Sequence, residues 1–217
     1  MFSYGFLKIA MKLLTNVTYP FKIVGKKKIP DGPCVIVANH YRMWDIVHVA
    51  YTTQEKIHFV AKKDLYKSKF IASLCNTIEA IPVSRDGQDA KAVITSLRYL
   101  KKGEKVCVFP EGTRNKTEEE LLPLKGGAAL FAIKGKVPVY PVMALNRQKL
   151  WRRTKIIVGD PFEFSDYYDR KLTAEDYEEA EKRIREKMLQ TRNDYILEEA
   201  RKKAEKKSRK NKGGRRS

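Results

Sequence analysis

Six short runs rich in valine and isoleucine, at residues 35–38, 57–61, 78–83, 106–109, 137–142 and 156–158, punctuate the middle of the chain. Each has the length and composition of a β-strand. Stretches of helical periodicity fall between several of them, at 45–52, 89–101 and 124–134. Parallel neighbours need a crossover, and a helix is the usual one. The alternation therefore predicts an α/β fold, a single domain with a mostly parallel central sheet flanked by helices. A chain of 217 residues can bury one sizeable core and is short for two ordinary domains. Pro82, Pro138 and Pro141 lie in or beside these runs. Proline cannot donate to a ladder, so its strands are expected at an edge, or with the prolines at ends or irregularities.

The two ends of the chain have a different character. In "MFSYGFLKIAMKLLTNV", projected at about 100° per residue, Gly5, Lys8, Lys12, Thr15 and Asn16 gather on one narrow side. Phe2, Phe6, Leu7, Ile9, Leu13, Leu14 and Val17 cover most of the rest. An apolar arc this wide suits an interfacial helix with lysines at its edge; a helix packed on the domain is the other reading. Residues 1–24 are thus expected to form an amphipathic, membrane-associating segment, and 25–172 the α/β domain. Thr173 and Asp176 resemble a capping box, with Leu172 and Tyr177 as a hydrophobic staple, so a helix should start there. Tyr177, Ile184, Met188 and Tyr195 recur at helical spacing and predict that residues 173–200 dock on the domain through one stripe. Residues 201–217 read as a basic, disordered tail.

Lysine and arginine number 45 against 26 acids, a formal charge of +19, far more than solubility requires. An anionic partner follows: nucleic acid, an acidic membrane surface or an acidic carrier protein. No apolar stretch approaches the roughly 20 residues of a spanning helix. Cys34, Cys75 and Cys107 lie in or beside apolar runs, with neither paired spacing nor a nearby histidine cluster to suggest a metal. With no cleavable signal ahead of them, they read as reduced cytoplasmic thiols.

"NHYRMWD" spans residues 39–45 between two apolar segments. It places His40 just past a strand, at the carboxyl edge where α/β sheets bind ligands, and Asp45 at the start of the next helix. A carboxylate folded back on the imidazole would fix its tautomer and stabilise the imidazolium, making a general base with an orienting partner. His48 and His58 lack such a partner and are assigned to structure. One such spacing arises readily by chance, but two further strands end in reactive residues. "VCVF" runs into "PEGTR", bringing Glu111, Gly112, Thr113 and Arg114, and "AIPVSR" ends in Arg85. Arginine offers planar, bidentate donors suited to phosphate, and Gly112 permits close backbone approach. Glu111 could accept from substrate hydroxyls or hold the loop. "LKGGAAL" puts Lys125 and two glycines at a helix start, where free amides favour an anion; a plain glycine turn is the other reading.

Together these blocks resemble the 1-acyl-glycerol-3-phosphate acyltransferase family over roughly residues 33–145. "NH....D" is similar to its His-x4-Asp motif, and "IPVSR", "FPEGTR" and "VPVYPV" to its second, third and fourth blocks, in the same order. The resemblance implies transfer of an acyl group from a thioester, acyl-CoA or acyl-ACP, to the sn-2 hydroxyl of lysophosphatidate, without a cofactor or metal. It implies His40 as base and Asp45 as its orienter. Arg85 and Arg114 would hold the phosphate, Glu111, Gly112 and Thr113 the glycerol pocket, and Lys125 would assist. Many relatives carry serine two residues after the histidine, where this chain has Arg42, and the alternative acceptor is another lysolipid or glycerol 3-phosphate itself. Expected partners are an anionic lysophospholipid, an acyl thioester, an acidic membrane surface and acyl carrier protein, with a peripheral or monotopic location on the cytoplasmic face. A nucleic-acid binder would share the charge and the tail, yet it leaves His40, Asp45 and "FPEGTR" unexplained. A catalytically silent membrane-binding relative is the third reading; the presence of both His40 and Asp45 counts against it.

Overall fold

The structure is a computed structural model that describes residues 4–25, 28–84 and 89–213. In chain order it comprises α1 (Tyr4–Thr18), β1 (Phe21–Gly25), β2 (Cys34–Ala38), α2 (Asp45–Ala50), β3 (Ile57–Lys62), α3 (Lys69–Thr77), β4 (Ile81–Val83), α4 (Ala90–Lys101), β5 (Lys105–Val108), α5 (Ala128–Gly135), β6 (Val139–Ala144), β7 (Thr154–Val158) and α6 (Ala174–Gly213). The strands form one sheet in the order β1-β7-β6-β2-β5-β3-β4. All neighbours pair in parallel except β6 and β7. The carboxyl ends of β2, β3, β4, β5 and β6 therefore share one edge.

Strand periodicity divides the core between two faces. Val35, Val37, Val106 and Val108 pack with Leu100 of α4, Phe131 and Ile133 of α5, and Ile184 and Met188 of α6. Cys34, Ile36, Ala38 and Cys107 pack on the other face with Val49 of α2. A central strand covered on both sides needs an unbroken apolar run, which "CVIVA" supplies.

The prolines follow the ladder rule. Pro82 lies in β4, at the sheet edge, and Pro138 precedes β6. Pro141 is in an interior strand, at an irregularity: past Val142↔Val158 the next pair is Val139↔Phe162, so the partner chain carries one extra residue. Two elements, β1 and α3, have no counterpart among the expected runs, and a third is shorter than expected. Strand β1 is five residues beside α1, and the run 78–83 is a strand only from Ile81, its start being the turn that ends α3.

At α6 the capping box is reciprocal. Thr173 N–H donates to Asp176 Oδ2 at 2.8 Å, and Asp176 N–H to Thr173 Oγ1 at 3.3 Å. Ile184, Met188 and Tyr195 are buried, with Leu172 and Tyr177 packed at the margin of the same core. The tail from residue 201 departs from expectation: α6 runs on to Gly213. Lysine, arginine, alanine and glutamate are good helix formers, and neither proline nor glycine interrupts α6 before Gly213, so nothing stops a helix already nucleated by docking.

Helix α1 is docked by its polar side. Thr15 is fully buried, Lys8 Nζ donates to the Thr53 carbonyl at 3.0 Å, and Tyr51 Oη donates to the Lys8 carbonyl. The apolar stripe faces outward, with Phe6 57%, Ile9 64%, Leu13 64% and Val17 69% exposed. Among the described residues, no helix is long and apolar enough to cross a membrane.

His48 and His58 are both fully buried, as a structural role requires. Burial pushes both imidazoles below their ordinary value of 6.5, for His48 against the pull of Asp45 and for His58 against the Glu79 carbonyl and Glu104. The unfolded chain then takes up these protons first as the pH falls below 6.5. Stability is therefore expected to decline as the pH falls below about 6.5, above the range in which unperturbed carboxylates titrate. Urea midpoints measured as the pH is lowered from this value check it, and a flat profile would contradict it.

Candidate active site

Strand β2 delivers Asn39 and His40 to the shared edge. Asn39 is buried and imitates a backbone rung: its Nδ2 donates to the Ala144 carbonyl at 3.0 Å, and its Oδ1 accepts from Ala144 N–H at 2.8 Å. The end of β2 is thereby stitched to that of β6, which fixes where His40 leaves the sheet. The imidazole lies on Phe109 with ring centroids 4.3 Å apart, and its side chain is 16% exposed. The loop then turns back so that Asp45, opening α2, faces it. His40 Nδ1 lies 3.0 Å from Asp45 Oδ2. That oxygen also accepts from the backbone N–H groups of Tyr41 and Arg42, each at 2.7 Å, and Oδ1 accepts from Gln148 Nε2. A carboxylate so placed assigns the proton to Nδ1 and leaves the lone pair on Nε2, the form a general base needs.

Of the two roles open to Glu111, the hydrogen bonds match the holding of the loop. It is 1% exposed, and its carboxylate accepts from His40 N–H at 2.6 Å and from Leu122 N–H at 2.9 Å. Burial pushes its pKa up, with those two amides pulling back. The residue holds the histidine loop to the loop after β5; both of its oxygens are engaged away from solvent. Asn115 reinforces the junction, its N–H donating to the His40 carbonyl at 2.6 Å.

Gly112 is favoured by conformation. Its φ is +59°, and a Cβ there would stand 2.8 Å from Lys125 Cδ. Lys125 thus crosses directly over the "PEGTR" turn, tied by its N–H to the Pro110 carbonyl at 2.8 Å. Thr113, Arg114 and Lys125 are exposed on this rim, as is Arg42. Arg85 lies outside the described residues. The residues flanking it are joined, Ser84 Oγ donating to Asp89 Oδ2 at 3.1 Å.

The helix start after "LKGG" is also different from expectation. Helix α5 begins at Ala128, and the N–H of Ala129 donates to Glu181 Oε1 of α6 at 2.8 Å. The chain's own carboxylate occupies the amides that an external anion would use. Burial raises the Glu181 pKa, against the pull of those same amides.

Gln148 was not foreseen. It follows β6 in an unremarkable polar stretch, is fully buried, and reaches Asp45 across 103 positions of sequence. Only the fold announces it. The three thiols are buried, and burial pushes Cys34 up to about 12, Cys107 well above its ordinary value and Cys75 upward. None has the character of a nucleophile. Among the described residues, no group of three or more His, Cys, Asp or Glu side chains is arranged to hold a metal ion.

A family model described as Acyltransferase matches residues 20–145. The 1-acyl-sn-glycerol-3-phosphate acyltransferase of Bacillus subtilis is 32% identical over 171 residues, covering 76% of this chain and 84% of that protein. The protein of the same name from Streptococcus pneumoniae is 32% identical over 166 residues, covering 72% of this chain and 60% of its own length. In fold, the chain is similar to the crystal structure of the 1-acyl-sn-glycerophosphate acyltransferase from Thermotoga maritima. The TM-score is 0.63 at 20% identity, over 87% of this chain and 80% of that one. A model matched over residues 20–145, and a relative matched along most of both chains, settle the kinship: this chain belongs to the acyltransferase family.

Proposed function

We propose that the protein transfers a fatty acyl group from a thioester donor to the sn-2 hydroxyl of 1-acyl-glycerol-3-phosphate, giving phosphatidic acid. The observation that carries the reading is the His40–Asp45 pair at the sheet edge, with Nδ1 committed to the carboxylate. Nε2 takes the hydroxyl proton as the oxygen attacks the thioester carbonyl carbon. The tetrahedral intermediate collapses, the C–S bond breaks, and the leaving thiolate receives the proton from the imidazolium. No covalent enzyme intermediate is required, in keeping with buried, protonated thiols. Asp45 stabilises the imidazolium through the transfer.

Arg114, Lys125 and, by the family likeness, Arg85 hold the acceptor phosphate, while Glu111 and Asn115 keep His40 at the edge. Binding is peripheral, on an anionic membrane surface: the outward apolar stripe of α1 and the charge of +19 support it. The donor is acyl-CoA or acyl-ACP. Both present anionic groups to a basic protein, and the cytoplasmic face is where either is found.

The test is thiol release from an acyl thioester in mixed micelles, with and without lysophosphatidate. Release that depends on the acceptor is expected; release from neither donor in its presence would refute the reading. The phosphate contacts predict a separate result. Arg114→Ala and Lys125→Ala should each raise the acceptor KM by about tenfold, the worth of one charge-assisted hydrogen bond, with kcat little changed. An acceptor lacking the phosphate should not discriminate between these variants and the parent, and equal losses on both acceptors would contradict the assignment.

A further inference from the structure

The connection between β6 and β7 carries a tip that the proposed chemistry does not use. Residues 145–155, "LNRQKLWRRTK", contain five cations and no acid. Gln148 is buried against Asp45, and immediately beyond it the chain turns tightly. Lys149 pairs with Arg152, whose N–H donates to the Lys149 carbonyl at 3.1 Å. The tip itself is Leu150 and Trp151, 44% and 75% exposed. Trp151 has φ of +58°, the left-handed region, where a bulky side chain is strained and glycine or asparagine relaxes the turn. Here strain is tolerated at a side chain that packs on little of its own protein.

This tip is continuous with the outward stripe of α1. Trp151 N–H donates to the Thr18 carbonyl at the end of α1, at 2.7 Å, and Thr154 N–H to the Pro20 carbonyl at 2.9 Å. Val17, one residue before Thr18, is 69% exposed. On the catalytic loop, Met43 is 46% exposed, and the neighbouring Trp44 ring lies 5.5 Å from that of Tyr19. An apolar surface thus runs from α1 to the hairpin tip, beside the loop that holds His40 and Asp45.

We infer that the hairpin tip is a second membrane anchor, seating Leu150 and Trp151 in the interfacial layer of an anionic bilayer. Tryptophan favours that layer because its ring is apolar and its N–H polar. Lys149, Arg152 and Arg153, exposed around the tip, match anionic headgroups, which argues for lipid over an apolar protein groove. The inference rests on the proposed action on a lipid acceptor and adds a geometric reason for it. Trp151 lies three positions beyond Gln148, at most about 11 Å of extended chain. A bilayer that holds the indole therefore lies close to the residue that holds Asp45. A lysolipid can present its headgroup to His40 while its acyl chain stays in the membrane.

Trp44 and Trp151 are the only tryptophans, so the full chain with Trp44→Phe leaves Trp151 as the sole reporter. On adding vesicles of phosphatidylglycerol and phosphatidylcholine, its emission should shift to the blue. Lipids brominated near the carbonyl end of the acyl chain should quench it more than lipids brominated near the methyl end. The double variant Leu150→Ser, Trp151→Ser should lose about tenfold or more in vesicle partitioning, the worth of one large apolar side chain. Its turnover of acceptor dispersed in detergent micelles should be unchanged. Water-like, unquenched emission from protein that still sediments with vesicles would overturn the inference, leaving α1 as the anchor. A blue shift that depends on protein concentration without lipid would also overturn it, in favour of self-association. Quenching is read without substrate, so absence of micellar turnover by the parent chain counts against the acyl-transfer reading alone.

Discussion

Replacing His40 by alanine is expected to lower acceptor-dependent thiol release by about 10²- to 10⁴-fold, the usual contribution of a positioned general base. The fold should survive, because the loop is held by main chain on both sides of the ring. His40 N–H is bound by Glu111 and its carbonyl by Asn115, and neither bond involves the imidazole. Asp45 keeps the amides of Tyr41 and Arg42 and the side chain of Gln148. Circular dichroism and thermal melting should therefore match the parent closely while turnover collapses. Full turnover in a folded His40→Ala chain would remove this residue from the chemistry.

Asp45→Asn should cost turnover on a similar scale, for a different reason. His40, Tyr41 and Arg42 all donate to Oδ2, and an asparagine carbonyl oriented there could still accept from them. The new amide would then face Gln148, whose Oε1 has no partner among the described residues. A half-turn of the Gln148 amide would pair the two side chains, so the architecture can be retained. The negative charge cannot: the imidazolium formed as His40 takes the proton loses its counter-ion. A drop of about 10²- to 10⁴-fold in kcat is expected, with a lesser effect on KM. If the two residues act as one unit, combining His40→Ala with Asp45→Asn should add little to either loss alone. Multiplicative losses in the double variant would show that Asp45 acts independently of the histidine.

Much of this site could be read in advance because its signals are local. Alternating Val/Ile runs and helical stretches identify strands and crossovers by period alone, and five residues separate His40 from Asp45 on a single strand-loop-helix passage. The reciprocal bonds of Thr173 and Asp176 are local in the same sense, since the helix start itself brings them together. Wherever chemistry depended on which distant group fills a buried valence, residue order did not contain the answer. Glu111 could be read either as touching substrate or as holding its loop, and only the fold pairs its carboxylate with the backbone of His40, 71 positions away. The amides at the start of α5 look open to an anion until α6 folds across and Glu181 takes them.

The same division explains α1. Its periodicity was sufficient to identify an amphipathic helix but not which side would face the protein. Lys8 and Thr15 found polar partners or burial on the domain, leaving the apolar stripe outward, a choice made by the surface it met. Spacing along the chain decides which residues can share a strand, a turn or a helix face, because those contacts lie within a few bonds' reach. Which polar atoms are satisfied, and by whom, is decided by packing, since a buried donor or acceptor must be paired with whatever group the completed fold brings within about 3 Å.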